Sequence, residues 1–121
     1  MSAAPQCPIC GDGADDTCEH GPLFLFSALS PAQLERLAFF VEECGEAIKA
    51  AMKIIRHGYE SYDPTKPRRV RINNRADLEI EMGDIRAAMI LLCNAKDTDK
   101  EFVHARANEK LDSVRRWMHH Q

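Results

Sequence analysis

The sequence has no apolar run that approaches the roughly 20 residues that a membrane-spanning helix requires. Its N-terminus also lacks the basic segment followed by an apolar segment that is typical of a secretory signal peptide. The formal net charge is −3, so no overall positive field attracts nucleic acid. These absences predict a cytoplasmic protein that crosses no membrane and forms no stable complex with nucleic acid.

Internal repeats, low-complexity tracts and the alternating pattern of β-strands are also absent, and helical spacing takes their place. Ser30 and Pro31 are typical of a helix start, and Gly58 is typical of a helix end, so we predict one long helix between them. A second helix is predicted to begin at 74–77 and a third to cover 98–117. We therefore expect an all-α helical bundle.

The N-terminal segment differs in composition from the rest of the chain. Residues 1–22 are rich in Gly, Pro, Asp and Cys and have no helical period. We predict a short Cys/His-rich appendage over 1–22 and the helical domain over 23–121, which together fit the 121 residues of the chain.

Within "CPICGDGADDTCEHG", Cys7 and Cys10 form a CxxC pair, and Cys18 and His20 follow. The CxxC turn allows two thiolates to face one ion, and the second pair would complete a tetrahedral Cys₃His site for structural Zn²⁺. The spacing of the second pair is tighter than usual. A reduced, metal-free tail and a redox CxxC remain the alternatives.

Two pairs of acidic residues lie on separate predicted helices. Glu43 and Glu46 are three residues apart, and so are Glu81 and Asp84. Residues at this spacing share a helix face, where like charges repel unless a cation neutralises them. If the helices pack antiparallel, both pairs can meet, and their oxygens suit Mg²⁺ or Mn²⁺. An ordinary solvated face is the alternative for either pair alone, but carboxylates beside an apolar seam favour a bound ion.

The order ExxE, loop, ExxD resembles that of the all-α nucleoside triphosphate pyrophosphohydrolases, the MazG-like family. The segment "EECGEAIKAAMKIIRHGYES" is similar to the family's first metal helix, and "NRADLEIEMGDIRAAMILL" is similar to its second. The C-terminal "EKLDSVRRWMHH" is similar to the tail of small phage-type members. The resemblance covers about residues 30–120, and the loop between the motifs is longer and more basic than in a minimal member.

The resemblance implies cleavage of a nucleoside triphosphate between its α- and β-phosphates, which gives a monophosphate and pyrophosphate. It also implies that Glu43, Glu46, Glu81 and Asp84 are the Mg²⁺ ligands. Glu42 or Glu46 is then the candidate to orient the attacking water. A homo-oligomer, either a dimer or a tetramer, is expected because family members build their sites between subunits.

Cationic side chains must contact the phosphates, because the sequence has no glycine-rich phosphate loop. Lys49 and Lys53 follow Glu46 by one and two helical turns and lie roughly on its face. Each of these cations is otherwise an ordinary solubilising residue. The weaker candidates are Arg56, Arg106, Lys110 and Arg115.

No residue specifies the base directly. Tyr59, Tyr62, Asn73 and Asn74 are near the predicted site in sequence and could stack on or hydrogen-bond to a base, or could be ordinary loop residues. A deoxynucleotide such as dGTP or dCTP would suit the resembled family, with action in the host cytoplasm if the protein is phage-encoded.

A function of a different class competes with the hydrolase. The CxxC segment and the basic run "KPRRVR" favour a non-enzymatic zinc-knuckle adaptor whose helices bind a protein or nucleic acid. The paired ExxE and ExxD motifs do not favour it.

Overall fold

The computed structural model describes residues 29–120. The chain divides into two units, Met1–Leu34 and Glu35–Gln121. The described residues form three α-helices, one short 3₁₀ turn and an isolated bridge, with no β-strand, which confirms the predicted all-α class. No described helix combines the length and apolar character that crossing a membrane requires.

Helix α1 (Pro31–His57) begins and ends where the sequence predicts. Ser30 and Gln33 form a reciprocal capping box, in which the Gln33 N–H donates to Ser30 Oγ at 3.1 Å and the Ser30 N–H donates to Gln33 Oε1 at 2.8 Å. At the other end, Gly58 has φ +85° and its N–H donates to the Ile54 carbonyl at 2.7 Å. Glycine adopts this left-handed conformation without the penalty that a Cβ imposes.

Helix α2 (Asn74–Asn94) and helix α3 (Lys100–Val114) each begin at a side-chain cap. Asn73 accepts the Ala76 N–H, and the Asp99 carboxylate accepts the N–H groups of Glu101 and Phe102. Helix α3 is therefore shorter than the predicted 98–117, because the Asp99 cap fixes its first turn at Lys100. A 3₁₀ turn, Arg68–Val70, interrupts the loop between α1 and α2.

Ion pairs near both ends of α1 connect it to α2 and to the turn after α2. The Arg36 guanidinium donates to both oxygens of Asp97, at 2.5 and 3.1 Å, and the Lys53 ammonium donates to Asp77 at 2.7 Å. Arg36 is early in α1 and Asp97 follows the end of α2, whereas Lys53 is late in α1 and Asp77 is in the first turn of α2. The two helices are therefore antiparallel.

Burial is limited within the described residues. The buried apolar side chains are Ala50, Ala88 and Leu92, which are 2%, 0% and 5% exposed. The small size of the two alanines, one on each helix, allows α1 and α2 to approach closely. Many larger apolar side chains on all three helices are exposed instead, including Ile48, Ile90 and Phe102.

Replacing Gly58 by alanine tests the assigned end of α1, and the same change at Gly83, inside α2, is the matched control. Gly58→Ala is expected to lower the free energy of unfolding by about 1–2 kcal/mol, because alanine is strained at φ +85°. Gly83→Ala is expected to raise it by up to about 1 kcal/mol, since position 83 is inside a helix and an added Cβ meets nothing within 4 Å. Urea unfolding at one fixed protein concentration measures both. Shifts of the same sign would contradict the assigned helix end.

Candidate metal centre

Three of the four carboxylates that the sequence selects meet in the structure. Glu43 on α1 and Glu81 and Asp84 on α2 each place one carboxylate oxygen within 4.8 Å of the other two. Glu43 and Glu81 are half-buried, and Asp84 is exposed. We call these three residues the acidic cluster.

The acidic cluster lies in the rows of residues through which α1 and α2 pack. On α1, Glu43 shares a face with half-buried Ala47 and buried Ala50, at spacings of four and three residues. On α2, Glu81 is followed at four and seven residues by half-buried Ile85 and buried Ala88. On each helix, the other residues of this face that are named here are apolar. Glu43 and Glu81 are therefore carboxylates in a contact between α1 and α2 that is otherwise apolar.

This placement disfavours the charged form of both glutamates. Burial raises the pKa of the Glu43 carboxyl, and the negative charge of Asp84 raises it further. Burial likewise raises the pKa of Glu81, to which the charges of Asp77 and Glu46 add. A bound cation would favour the ionised carboxylates and reverse both effects.

The donor set is compatible with a hard divalent ion. Two glutamates and one aspartate offer only oxygen ligands, which Mg²⁺ and Mn²⁺ prefer. Mg²⁺ usually binds one or two protein carboxylates and fills its remaining positions with water or phosphate oxygens. Three carboxylates on one side of an ion leave space for such ligands.

Both lysines that the sequence selects form ion pairs with acids outside the acidic cluster, and one of them, Lys53, also acts on the cluster. The positive charge of Lys53 lowers the pKa of Glu81, although burial outweighs this effect, and its ammonium pairs with Asp77. Lys49 contacts Glu46 at 3.4 Å. Asp77 was not among the predicted site residues, yet it contacts Lys53 and affects Glu81. Its position four residues before Glu81, on the same helix face, is the signal that sequence reasoning missed.

The remaining predicted acids lie around the acidic cluster. Glu46 is not one of the three residues whose oxygens converge, but its charge raises the pKa of both Glu43 and Glu81. Glu42 is exposed, and its charge also raises the pKa of Glu43. Both therefore remain candidates to orient a water molecule.

The weaker phosphate candidates have no contact with the acidic cluster among those found in the described residues. Arg56 is exposed in the last turn of α1, and Lys110 is exposed on α3. Arg106 pairs with Glu109 at 3.2 Å, and Arg115 lies near Asp112 at 3.8 Å.

A cavity of about 400 Å³ adjoins Lys53. Tyr62 and Asn74 line it, whereas Tyr59 stacks under the Arg75 guanidinium at 4.5 Å and Asn73 caps α2. A larger cavity of about 790 Å³ lies between α2 and α3. None of the three clustered carboxylates lines either cavity, but Lys53, whose charge acts on Glu81, lines the smaller one. The smaller cavity is therefore the better candidate for a ligand that also reaches the acidic cluster. Its lining residues are Lys53, His57, Ser61, Tyr62, Asp63, Pro64 and Asn74.

The predicted zinc ligands Cys7, Cys10, Cys18 and His20 lie outside the described residues. The predicted boundary between 1–22 and 23–121 lies there as well. Both statements stay predictions.

Comparison with known proteins adds no relative. No protein-family model, no curated protein and no solved structure matches the chain. The resemblance to the MazG-like family therefore rests on the motifs and remains a prediction.

The pH dependence of stability tests the electrostatics of the acidic cluster. Because folding raises the pKa of Glu43, its stabilising contribution is fully present below the ordinary value of 4.5 and is lost as the pH rises through the raised pKa. In EDTA, we expect Glu43→Gln to melt at a higher temperature than the wild type at pH 7. The difference should vanish below about pH 4.5.

Glu79→Gln is the control for this measurement, because Glu79 is exposed on the same helix as two members of the acidic cluster. It should change the melting temperature little across the same pH range. If the melting temperatures of Glu43→Gln and the wild type differed by the same amount at every pH, burial and neighbouring charge would not raise the pKa of Glu43.

Proposed function

We propose that the protein is a Mg²⁺-dependent nucleoside triphosphate pyrophosphohydrolase that cleaves a deoxynucleoside triphosphate to the monophosphate and pyrophosphate. The convergence of Glu43, Glu81 and Asp84 is the observation that carries this proposal. The family resemblance of the two acidic motifs adds to it. Glutamates held half-buried against each other are better explained by a cation than by a solvated helix face.

The side chains have distinct roles in the proposed reaction. Glu43, Glu81 and Asp84 would hold Mg²⁺, which would neutralise phosphate charge and lower the pKa of a water bound to it. Glu46 or Glu42 accepts a proton from the attacking water. The water oxygen forms a bond to the α-phosphorus, and the bond from that phosphorus to the α–β bridging oxygen breaks. Pyrophosphate leaves with the bonding electrons.

Lys49 and Lys53 are the cations best placed to contact the triphosphate. Both are accessible, with side chains 64% and 42% exposed. Their present carboxylate partners are Glu46 and Asp77. A triphosphate competes with single carboxylates for a lysine because it presents several negative oxygens at once. Substrate binding would thereby release Glu46 to face the water.

The cavity beside Lys53 is the proposed site for the nucleoside. Its volume of about 400 Å³ is within the range of small-molecule sites. Tyr62 offers a ring against which a base can stack, and the Arg71 guanidinium lies over the same ring, 4.8 Å from its centre. Deoxynucleotides such as dGTP and dCTP are the first substrates to test.

Subunit association accompanies the proposed activity. The described residues bury few apolar side chains, and large ones such as Val41, Ile55 and Phe102 are 68%, 75% and 71% exposed. Burial of apolar surface is the main favourable term in protein association. A homo-oligomer, a dimer or a tetramer, would cover these residues.

The proposal is tested by measuring pyrophosphate release from each common nucleoside and deoxynucleoside triphosphate in the presence of Mg²⁺. We expect Glu43→Gln and Glu81→Gln to lower kcat/KM by more than about 100-fold, since even outer-shell partners of a metal contribute 10–100-fold. Glu79→Gln is the matched control and should retain activity.

The outcomes separate the hydrolase from the adaptor. Equal activity in Glu43→Gln and the wild type would show that the acidic cluster does not take part in the reaction. The absence of turnover of every nucleotide by a folded protein that contains bound zinc would favour the adaptor instead.

A further inference from the structure

Helix α1 has a second apolar face, which the described part of the chain leaves exposed. Val41, Ile48 and Ile55 recur at intervals of seven residues and are 68%, 66% and 75% exposed. Leu37 and Met52 lie on the same face and are also exposed. A period close to 3.5 residues produces one straight stripe along a helix, of the kind that pairs with another helix. We call these five residues the α1 stripe.

The α1 stripe is separate from the face of α1 that packs on α2. That inner face carries Glu43, Ala47 and Ala50, which are half-buried or buried. At 3.6 residues per turn, residues 43 and 50 lie at least a third of a turn from residues 41, 48 and 55, and residue 47 lies between the two faces. Helix α1 is therefore apolar on two sides, as expected of a helix placed between two neighbours.

A row of charges runs along one flank of the α1 stripe. Glu35, Glu42, Lys49 and Arg56 follow one another at intervals of seven residues, and all four are exposed. The row is acidic in its first half and basic in its second. Lys49 contacts Glu46 at 3.4 Å, and the other three form no salt bridge among the residues from 29 to 120.

We propose that the α1 stripe pairs with the same stripe of a second copy of this chain, with the two α1 helices antiparallel around a two-fold axis. In such a pair each flank faces the same flank of the partner. Glu35 then faces Arg56 of the partner subunit, and Glu42 faces Lys49 of the partner subunit. Each contact occurs twice, and all four are attractive.

The apolar residues fit the same register. Val41 lies opposite Ile48 of the partner subunit, and Leu37 lies opposite Met52 of the partner subunit. A parallel pair would instead place the charged row against the other flank, which carries Cys44, Ala47 and Ala51. Charged side chains facing those residues would have no partner, so the charges select the antiparallel arrangement.

Gly45 supports this register, because the charge pairs centre between residues 45 and 46 and the apolar pairs centre between residues 44 and 45, which places the two-fold axis beside Gly45. Glycine is unfavourable inside a helix, and nothing within residues 29–120 requires it here, since an added Cβ meets none of their atoms within 4 Å. The absence of a side chain at the crossing point allows two helix backbones to approach closely. A second copy of α1 crossing at this position would account for the glycine.

The inference names the surface for the subunit association proposed above. Glu42 and Lys49 on that surface are also used in the proposed reaction, so the association is tested at Glu35 and Arg56 instead. Sedimentation equilibrium of the full chain at low salt tests it. The wild-type mass is expected to be at least twice 13.7 kDa. Glu35→Arg and Arg56→Glu alone should each weaken association by about tenfold, because each change replaces two attractive contacts with two repulsive ones. The double variant should restore association.

A second pair of variants tests the crossing point. Gly45→Leu should give a monomer with unchanged helix content by circular dichroism, since its own chain leaves space for a side chain. Gly83→Leu, at an equally open helical position on α2, should keep the wild-type mass.

A monomeric wild type, single charge variants with unchanged association, or a double variant that stays dissociated would each overturn the α1 pairing. Loss of the proposed enzyme function would appear differently. The charge-swap pattern would then hold while pyrophosphate release was absent.

Discussion

Repulsion among three carboxylates in the seam between α1 and α2 is the constraint on which the candidate site depends. Glu43, Glu81 and Asp84 approach within 4.8 Å of one another because helix packing places them there. In the absence of a cation, the cluster lowers stability, since burial and like charge both disfavour ionisation. Such destabilised groups are typical of functional sites, where binding of an ion or substrate offsets the strain.

Two ion pairs fix the register that brings the carboxylates together. The Arg36–Asp97 and Lys53–Asp77 pairs lie on either side of the acidic cluster along α1. A shift of α1 by one residue along α2 would break both pairs and turn Glu43 by about 100° away from the seam. The apolar contacts alone would specify the register less strictly, because the buried residues Ala50 and Ala88 are small and similar in shape. The two ion pairs thus fix the register of α1 against α2 and keep the three carboxylates of the site together.

The limits of α1 and the identity of the acidic motifs could be predicted from the sequence, because both depend on local chemistry, whereas α3 is shorter at both ends than predicted. Ser30, Gly58 and the ExxE and ExxD spacings act within a few residues of the chain. The pairing of Lys53 with Asp77 depends on tertiary packing across 24 residues and could not be predicted. For the same reason, periodicity could not show that Glu43 rather than Glu46 enters the seam. Periodicity also could not distinguish the face of α1 that packs on α2 from the exposed α1 stripe, because the apolar residues of both faces recur with the same helical period.

The most direct measurement of the central claim is Mn²⁺ binding, followed by the loss of the free-ion electron paramagnetic resonance signal. We expect the wild type to bind Mn²⁺, Mg²⁺ to displace it, and Glu43→Gln and Glu81→Gln each to weaken binding by at least about tenfold. Glu79→Gln should bind as the wild type does. A wild type that leaves the free-ion signal unchanged, or a Glu43→Gln variant that binds equally well, would contradict the metal centre.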